Sequence, residues 1–329
     1  MHVLITGGTG FIGKQLAAEL LRMDEFPFEG AAAENIDKIT LFDAFAGDHK
    51  WGDPRVEVIV GDIGDAQTVA RTVEKADIVW HFAAVVSSDA EANFDLGMKV
   101  NLQGMLNLLA ALRAKGERTR IVNASSFAVF GGDLPDIVTD RTDLTPKTSY
   151  GTQKAIGELL VADYTRKGFV DGRSLRLPTV TVRPGKPNKA ASTFVSSIIR
   201  EPLSRQPAVC PVRAETPVYI SSPRRIVEAM IRAMCLSDET IGSERTIPLP
   251  GLTLSVDEMV AALGRIAGPA AVQLIRWEPD AAIQRIIDSW PTRVEAARAK
   301  ALGFKTDKTF DEIVRAHIED ERVTKWWSQ

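Results

Sequence analysis

The stretch Gly7-Gly8-Thr9-Gly10-Phe11-Ile12-Gly13 decides the fold that this sequence predicts. It follows the apolar run Val3-Leu4-Ile5, which is typical of a buried parallel strand, and it leads into leucines at helical spacing. The predicted order is therefore strand, glycine turn, helix. In that order, free backbone N–H groups and the positive end of a helix lie together. A pyrophosphate can then bind against glycines that have no side chains.

The spacing of the glycines is G-x-x-G-x-x-G. A glycine triplet by itself is also compatible with an ordinary tight turn. The strand before it and the helix after it favour a dinucleotide site over that alternative. The predicted contacts of this loop with the cofactor are Gly7, Gly10, Phe11, Ile12 and Gly13.

Composition excludes several classes of protein. The chain has 329 residues, of which 45% are hydrophobic, so it can bury a large core. Its net charge is −3 and its basic residues are spread along the chain, which argues against a nucleic-acid partner. Cys210 and Cys235 match no metal-ligand spacing and fit a reducing compartment. With no apolar run of membrane-spanning length, we expect a cytoplasmic protein without a metal.

Strand-like runs alternate with helical segments through the first half of the chain. This alternation predicts an α/β fold with a Rossmann-like, doubly wound parallel sheet, whose ligand crevice lies at the carboxyl ends of the strands. His81 lies inside an apolar run and is interpreted as a core residue. The strand-like runs after the first are Lys38–Asp43, Val56–Val60, 77–82 and 120–124.

Three polar side chains stand at the ends of these strands. Asp43 ends the second strand, where a carboxylate binds the adenine ribose hydroxyls and repels a 2′-phosphate, so NAD is expected rather than NADP. A loop-capping aspartate is the alternative. Ser125 and Ser126 follow another strand, and their hydroxyls either point into the crevice or cap a loop.

Tyr150 and Lys154 are one helical turn apart, so both project from one helix face. A free tyrosine has a pKa of about 10, and a neighbouring ammonium lowers it. The tyrosinate can then act as a general base while a serine hydroxyl holds the substrate oxygen and hydride passes to a nicotinamide. The pair could also be an ordinary surface pair. The glycine loop and Ser126 favour the catalytic interpretation.

Together these motifs resemble the extended short-chain dehydrogenase/reductases of the NAD-dependent epimerase/dehydratase type. The resemblance implies that Ser126 is the catalytic serine, Tyr150 the base and Lys154 its partner. It implies a homodimer that joins through helices 100–115 and 151–167. It also implies a cofactor domain of residues 1–177 and 215–240 and a substrate domain of residues 178–214 and 241–329. Further cofactor contacts implied are Asp62, Ile63, Ala83, Ala84, Val85, Asn101, Ser125, Tyr150, Lys154, Pro178 and Val180.

A basic loop follows the strand that begins near Ser174. It holds Arg183, Lys186, Asn188 and Lys189 between two prolines and a glycine, a composition that suits an anion. A carboxylate, a sugar-nucleotide pyrophosphate and an ordinary solvated basic loop all stay open on these residues alone. The segment resembles members of the family that oxidise small sugar acids. The predicted substrate contacts are Ser87, Ser126, Thr179, Arg183, Lys186 and Asn188.

We therefore expect an NAD-dependent enzyme that oxidises the 2-hydroxyl of a small sugar acid, D-erythronate in particular, to 2-dehydro-D-erythronate. The alternative within the family is a nucleotide-diphosphate-sugar epimerase or dehydratase that retains its NAD. A non-catalytic NAD-binding regulator is a third possibility. Such a regulator has no need of Tyr150 and Lys154.

Overall fold

The computed structural model describes residues 1–185 and 191–328. Short strands and helices alternate along this part of the chain. The strands are β1 (His2–Thr6), β2 (Glu25–Phe26), β3 (Glu34–Asn35), β4 (Lys38–Asp43), β5 (Val56–Val60), β6 (Ile78–His81), β7 (Arg120–Ser126), β8 (Val138–Thr139), β9 (Asp171–Leu177), β10 (Thr179–Val180), β11 (Ala208–Cys210), β12 (Pro217–Ser221), β13 (Thr246–Pro248), β14 (Leu252–Ser255), β15 (Ile275–Trp277) and β16 (Val294–Glu295).

The helices differ from the predicted ones mainly at their ends. The helix predicted at 100–115 begins its regular α-helical part at Gly104, after a π-helical turn at Met98–Gln103. The α-helices are α1 (Phe11–Leu21), α2 (Ala66–Val73), α3 (Ser87–Ala92), α4 (Phe94–Gly97), α5 (Gly104–Lys115), α6 (Ser149–Arg166), α7 (Thr193–Leu203), α8 (Pro223–Cys235), α9 (Asp238–Ile241), α10 (Val256–Val272), α11 (Ala281–Asp288), α12 (Ala297–Ala301) and α13 (Phe310–Asp320), with 3-10 turns at Phe127–Val129 and Trp326–Ser328.

The main sheet has the strand order β13-β9-β7-β6-β1-β4-β5. Each neighbouring pair in it is parallel. From β1 the chain builds outward through β4 and β5 on one side, and it then returns to place β6 on the other side. The strand order therefore reverses beside β1, where a crevice opens at the carboxyl ends of the strands. The predicted Rossmann-like, doubly wound fold is confirmed.

Both faces of the main sheet are covered by helices. Along β1, Val3 and Ile5 lie in a core formed with α1 and α8, whereas Leu4 lies in a core formed with α2 and α5. Alternate side chains of a strand point to opposite faces, so β1 can be apolar throughout only because both faces are buried.

The polar segment 24–37 is predicted as a surface insertion, but it reaches the core. It folds as an antiparallel hairpin in which β2 pairs with β3. Phe26 of this hairpin is fully buried, and its ring centroid lies 5.8 Å from that of Trp80. A single aromatic residue in a polar stretch has no periodic pattern, so the sequence does not indicate its burial.

A second hydrophobic core lies outside the main sheet. It joins α7, α10 and α13 to β12, which pairs with β10 and β14 in a small mixed sheet. Strand β13, by contrast, extends the main sheet beside β9. The domain boundaries within residues 178–329 stay a prediction.

Over residues 1–185 and 191–328, the longest apolar helices fall short of what is needed to cross a lipid bilayer. Cys210 and Cys235 are both free thiols. Burial raises the pKa of each thiol above its ordinary value, which keeps both protonated at neutral pH. Neither cysteine therefore has the properties of a reactive nucleophile.

Candidate active site

The glycine loop packs too closely for side chains. Gly7 has φ +68°, and a Cβ atom there would lie 2.7 Å from the backbone nitrogen of Ala83. A Cβ atom on Gly13 would lie 2.5 Å from the Gly7 carbonyl oxygen. Helix α1 begins at Phe11, and its N-cap residue Gly10 has no side chain that could accept from the first N–H groups of the helix. This cradle fits the pyrophosphate of a dinucleotide.

Asp43 lies beside that loop. Its carboxylate accepts hydrogen bonds from the backbone N–H of Thr9 at 3.2 Å and of Phe45 at 3.4 Å. The Thr9 hydroxyl also donates to the Phe45 carbonyl at 3.0 Å. These bonds tie the end of β4 to the glycine loop. Each carboxylate oxygen keeps a second lone pair, with which it can accept from a ribose hydroxyl.

Asp62 and Ile63 lie in the loop that follows β5. The Asp62 carboxylate pairs with the Lys99 ammonium at 2.6 Å and accepts from the Gly64 N–H at 2.7 Å. The hydrogen bond from Lys99 is the main reason that the pKa of Asp62 lies below its ordinary value. Ile63 is buried, and its carbonyl accepts from the Asn107 amide at 3.1 Å. This loop is therefore fixed by its own contacts.

Asn101 fixes the loop 83–85 that follows β6. Its side-chain oxygen accepts from the Val85 N–H at 2.8 Å, and its amide donates to the Val85 carbonyl at 3.2 Å. The amide also donates to Gln153 on α6 at 2.8 Å. Asn101 lies in the π-helical turn, a distortion that is frequent at functional sites. The predicted cofactor contacts Ala83, Ala84 and Val85 are thus held against α6.

His81 is a core residue, as predicted. It is 2% exposed, and its Nδ1 atom lies 2.7 Å from the Thr6 hydroxyl. Burial, with a smaller contribution from the positive charge of Lys154, lowers the pKa of His81 to about 3. The imidazole is therefore neutral at physiological pH.

The first turn of α6 places Tyr150 beside Ser126. Thr148 caps the helix by accepting from the Gly151 N–H at 3.0 Å. A Cβ atom on Gly151 would lie 2.0 Å from the Ala128 carbonyl oxygen, so only glycine permits α6 to contact the turn after β7 this closely. The Ser126 side chain is close enough to Tyr150 to oppose the effect of burial on the pKa of the phenol. The structure therefore brings the predicted base and the predicted serine together.

Burial governs the charge states of Tyr150 and Lys154, so the expectation that the Lys154 ammonium lowers the pKa of Tyr150 below its ordinary value is wrong. Burial raises the pKa of Tyr150 to about 12, against the lowering effects of the Ser126 hydrogen bond and of the Arg183 charge. Burial lowers the pKa of Lys154 to about 8, and the charge of Glu158 opposes that change. The Lys154 ammonium lies 5.5 Å from the Tyr150 ring centroid and donates to the Ala124 carbonyl at 2.8 Å. Arg183 is a second cation that acts on the phenol. The sequence does not indicate that Arg183 lies near Tyr150.

Arg183 is held in place by the start of α7. Its backbone N–H donates to the Ser196 hydroxyl at 3.0 Å, and its guanidinium donates to the Ser192 hydroxyl at 2.9 Å. The Arg200 guanidinium donates to the Arg183 carbonyl at 2.7 Å. Burial lowers the pKa of Arg183, and Tyr150 raises it. Lys186 and Asn188, the other predicted loop contacts, lie outside the described residues.

The remaining predicted contacts lie at the edge of this region. Ser87 is the first residue of α3, and Thr179 and Val180 form β10, which pairs with Ile220 and Ser221. Pro178 is buried between β9 and β10. Contacts of these residues with substrate or cofactor stay predictions.

The sequence analysis missed Glu158 and Arg176. Glu158 is 2% exposed, one helical turn beyond Lys154, and its carboxylate accepts from the Arg176 guanidinium and from the Ser125 hydroxyl. The Ser125 hydroxyl, which the sequence assigns to the cofactor, donates to this carboxylate at 2.5 Å. The spacing i, i+4, i+8 of Tyr150, Lys154 and Glu158 is the signal that could have indicated the third residue.

Comparisons with known proteins identify relatives along nearly the whole chain. The model of the NAD dependent epimerase/dehydratase family matches residues 3–218. A D-erythronate dehydrogenase of Cupriavidus necator is 48% identical over 99% of this chain and 100% of its own length. One of Haemophilus influenzae is 42% identical over 97% of this chain and 99% of its own length. The crystal structure described as a nucleoside-diphosphate-sugar epimerase from Agrobacterium tumefaciens has a TM-score of 0.92 at 41% identity, covering 98% of this chain and 94% of its own.

Proposed function

This chain belongs to the NAD dependent epimerase/dehydratase family, and we propose that it oxidises the 2-hydroxyl of D-erythronate to give 2-dehydro-D-erythronate, with NAD as the oxidant. The observation that supports this most directly is the position of Arg183, a cation that acts on Tyr150. Two relatives, 48% and 42% identical over nearly the whole chain, are named D-erythronate dehydrogenase. A 2-hydroxy acid places a carboxylate one carbon away from the hydroxyl that reacts, so its enzyme needs a cation near the base.

In the proposed reaction, Ser126 holds the substrate hydroxyl and Tyr150 takes its proton. Bound NAD would supply the hydride acceptor for the carbon that bears this hydroxyl. The Arg183 charge favours the tyrosinate form against burial, which raises the pKa of Tyr150 to about 12. The Lys154 cation, 5.5 Å from the Tyr150 ring centroid, is proposed to act in the same direction as Arg183. As the carbonyl forms, the proton of the hydroxyl goes to the Tyr150 oxygen and the hydride leaves the carbon that bore this hydroxyl.

The basic loop is proposed to anchor the carboxylate. Arg183 is fixed by Ser192 and Ser196, so a substrate meets a guanidinium whose position is already set. Lys186 or Asn188 of the same loop is proposed to share the anion. Loss of one charge-assisted hydrogen bond to the acid would weaken binding by about 1.5 to 3 kcal/mol.

NAD is proposed in preference to NADP. Asp43 stands beside the glycine cradle with Ala44 and Phe45 after it, where a 2′-phosphate would need a basic residue. Asp43→Ala should narrow the preference for NAD, measured as the ratio of kcat/KM for the two cofactors. Equal or better activity of the unchanged protein with NADP would contradict this assignment.

A panel of four- to six-carbon aldonates, assayed for NADH formation, tests the substrate. We expect D-erythronate to give NADH and the uncharged parent polyol to give none. Lys186→Ala, Asn188→Ala and Arg183→Ala should each raise the KM for the acid far more than the KM for NAD. Arg276→Ala is a matched control, since Arg276 is an exposed arginine that pairs with Glu278 at 3.5 Å. An equal increase of both KM values would contradict the anchor.

The second candidate is a nucleotide-diphosphate-sugar epimerase or dehydratase. The description of the similar Agrobacterium tumefaciens structure favours it. Such an enzyme would use the same Tyr150 but would keep its NAD through the cycle, so no net NADH would form. Competitive inhibition by UDP at micromolar concentration, with no NADH from any aldonate, would favour this candidate over the dehydrogenase.

A homodimer in the cytoplasm is part of the proposal. Leu159 on α6 is 65% exposed, and an apolar side chain of this size on a long helix supports a helix-to-helix subunit contact. The two free cysteines support a reducing compartment. Sedimentation should detect a dimer that Leu159→Glu weakens. A protein that is only monomeric at micromolar concentration would contradict the subunit contact.

A further inference from the structure

We infer that Glu158, fixed by Arg176 and Ser125, is a positioning residue that keeps the Lys154 cation and the first half of α6 against the carboxyl end of β7. The inference rests on the proposed function for the role of Lys154. It concerns a carboxylate that is too deeply buried to meet the substrate itself.

The Glu158 carboxylate is saturated by protein donors. The Arg176 Nε atom donates to both of its oxygens, at 3.0 and 3.1 Å, and the Arg176 Nη2 atom donates to Oε2 at 2.7 Å. The Ser125 hydroxyl donates to Oε1 at 2.5 Å. Arg176 is itself 7% exposed, and its guanidinium lies 5.0 Å from the Phe130 ring centroid. A pair this deeply buried holds one geometry, because any other geometry would leave a charge unsatisfied.

The Glu158 carboxylate and the Lys154 ammonium form hydrogen bonds with adjacent residues of β7. Lys154 donates to the carbonyl of Ala124, and Glu158 accepts from the hydroxyl of Ser125. The next residue of β7 is Ser126, whose side chain interacts with Tyr150 and opposes the effect of burial on its pKa. Two adjacent attachments, one turn apart on α6, therefore set the position of the helix relative to the end of the strand. The geometry of the Ser126–Tyr150 pair depends on that position.

The charges around Lys154 come from three elements. Tyr150 and Glu158 are neighbours of Lys154 on α6. His81 of β6 is near enough that the Lys154 charge lowers its pKa. Arg176 of β9 reaches this region through Glu158. His81 is neutral, so Glu158 is the negative charge that supports the cationic form of Lys154. Without that charge, Arg176 would become an unpaired cation that opposes a second cation beside it.

Glu158→Gln isolates the charge, because glutamine keeps the shape and a carbonyl acceptor for Ser125 or Arg176. We expect the pKa of Lys154 to fall by about one unit in this variant. The readout is the ¹³Cε resonance of labelled lysine during a pH titration, assigned to Lys154 by its absence in Lys154→Met. Glu158→Asp, which keeps the charge, should titrate closer to the unchanged protein.

The same variant should change catalysis. With D-erythronate and NAD, kcat should fall by about 10²-fold, because a small misplacement of the reacting groups has effects of that order. The alkaline decline of kcat should begin at lower pH, since Lys154 loses its proton earlier. A uniform decrease of kcat at every pH would indicate a merely structural residue.

Asp171→Asn serves as the matched control, since Asp171 is a buried carboxylate that pairs with Arg120 and Arg173 near the other ends of β7 and β9. Asp307→Asn, at a buried carboxylate that accepts from Ser222, is a second control if the first folds poorly. Neither should move the Lys154 titration. An unchanged Lys154 titration in folded Glu158→Gln would overturn the inference. If no aldonate is oxidised, the proposed function fails, but the titration still decides the role of Glu158.

Discussion

At their first residues, β7 and β9 place Arg120 opposite Asp171, and near their last residues the same two strands place Ser125 opposite Arg176. At the first end, the Asp171 carboxylate pairs with Arg120 at 2.7 Å, with Arg245 at 3.2 Å and with Arg173. At the other end, the Glu158 carboxylate pairs with Arg176 at 2.7 Å. Both ends of these strands thus bury a carboxylate that has arginine as its partner.

The two ends differ in what lies beside the ion pairs. Arg173 donates to the carbonyls of Ala233 and Leu236, so the Asp171 cluster fastens the end of α8 to the sheet. Beside the Glu158 pair lie Tyr150 and Lys154, whose pKa values burial displaces in opposite directions. A buried ion pair therefore indicates a functional site only where a neighbouring titratable group has a shifted pKa and is partly open to the crevice.

The largest expected effect is on stability at the Asp171 end. Asp171→Asn leaves several buried arginines without their shared carboxylate and should lower the free energy of unfolding by about 3 to 5 kcal/mol. Urea unfolding followed by circular dichroism measures this change. The kcat of the folded fraction should stay unchanged. A loss of stability below about 1 kcal/mol would contradict the stabilising role of the Asp171 cluster, by which this end of the strands differs from the Glu158 end.

The next effect is on turnover at the opposite end. Tyr150→Phe removes the group that takes the proton and should lower kcat by roughly 10² or more, while NAD affinity stays largely intact. Lys154→Met should lower both kcat and the affinity for NAD. Steady-state kinetics and cofactor titration measure the two quantities. Near-normal turnover in Tyr150→Phe would mean that another base acts.

A smaller effect tests the contact between α6 and the turn after β7. Gly151→Ala places a methyl group where the Ala128 carbonyl oxygen would be 2.0 Å away, so the helix must shift. We expect a loss of about 1 to 3 kcal/mol in stability and a decrease in kcat of about tenfold or more. Gly157→Ala is the matched control on the same helix, since its Cβ atom would lie 3.6 Å from the Met105 side chain. Equal kcat values in the two variants would contradict the role of this contact.

The smallest effect concerns acid stability at the Asp171 end. Hydrogen bonds from Arg118 and Arg245 lower the pKa of Asp238 to about 2. Because the folded-state pKa is depressed, the stabilisation is present above the unfolded value of about 4 and is lost as the pH falls toward 2. Asp238→Asn should flatten this part of the stability curve in urea unfolding. The change should be modest, since the side chain of Asp238 is 42% exposed.

Local patterns were sufficient to predict the fold and to select some of the candidate site residues. The glycine loop, the parallel strands and the placement of Tyr150 and Lys154 on one helix face all follow from residues near one another in sequence. Asp43 and Ser126 could be placed in the crevice because parallel strands end at one edge of the sheet. The buried state of His81 followed from the apolar run around it.

By itself, therefore, the sequence determined that the chain forms a doubly wound sheet and that a tyrosine and a lysine lie at its carboxyl edge. The tertiary structure alone decided that Arg183 acts on Tyr150, that Arg176 pairs with Glu158, and that Phe26 is buried beside Trp80. Each of these contacts joins residues from different elements. Their free energies depend on burial and on partners that exist only once the elements have packed, so no local pattern in the chain encodes them.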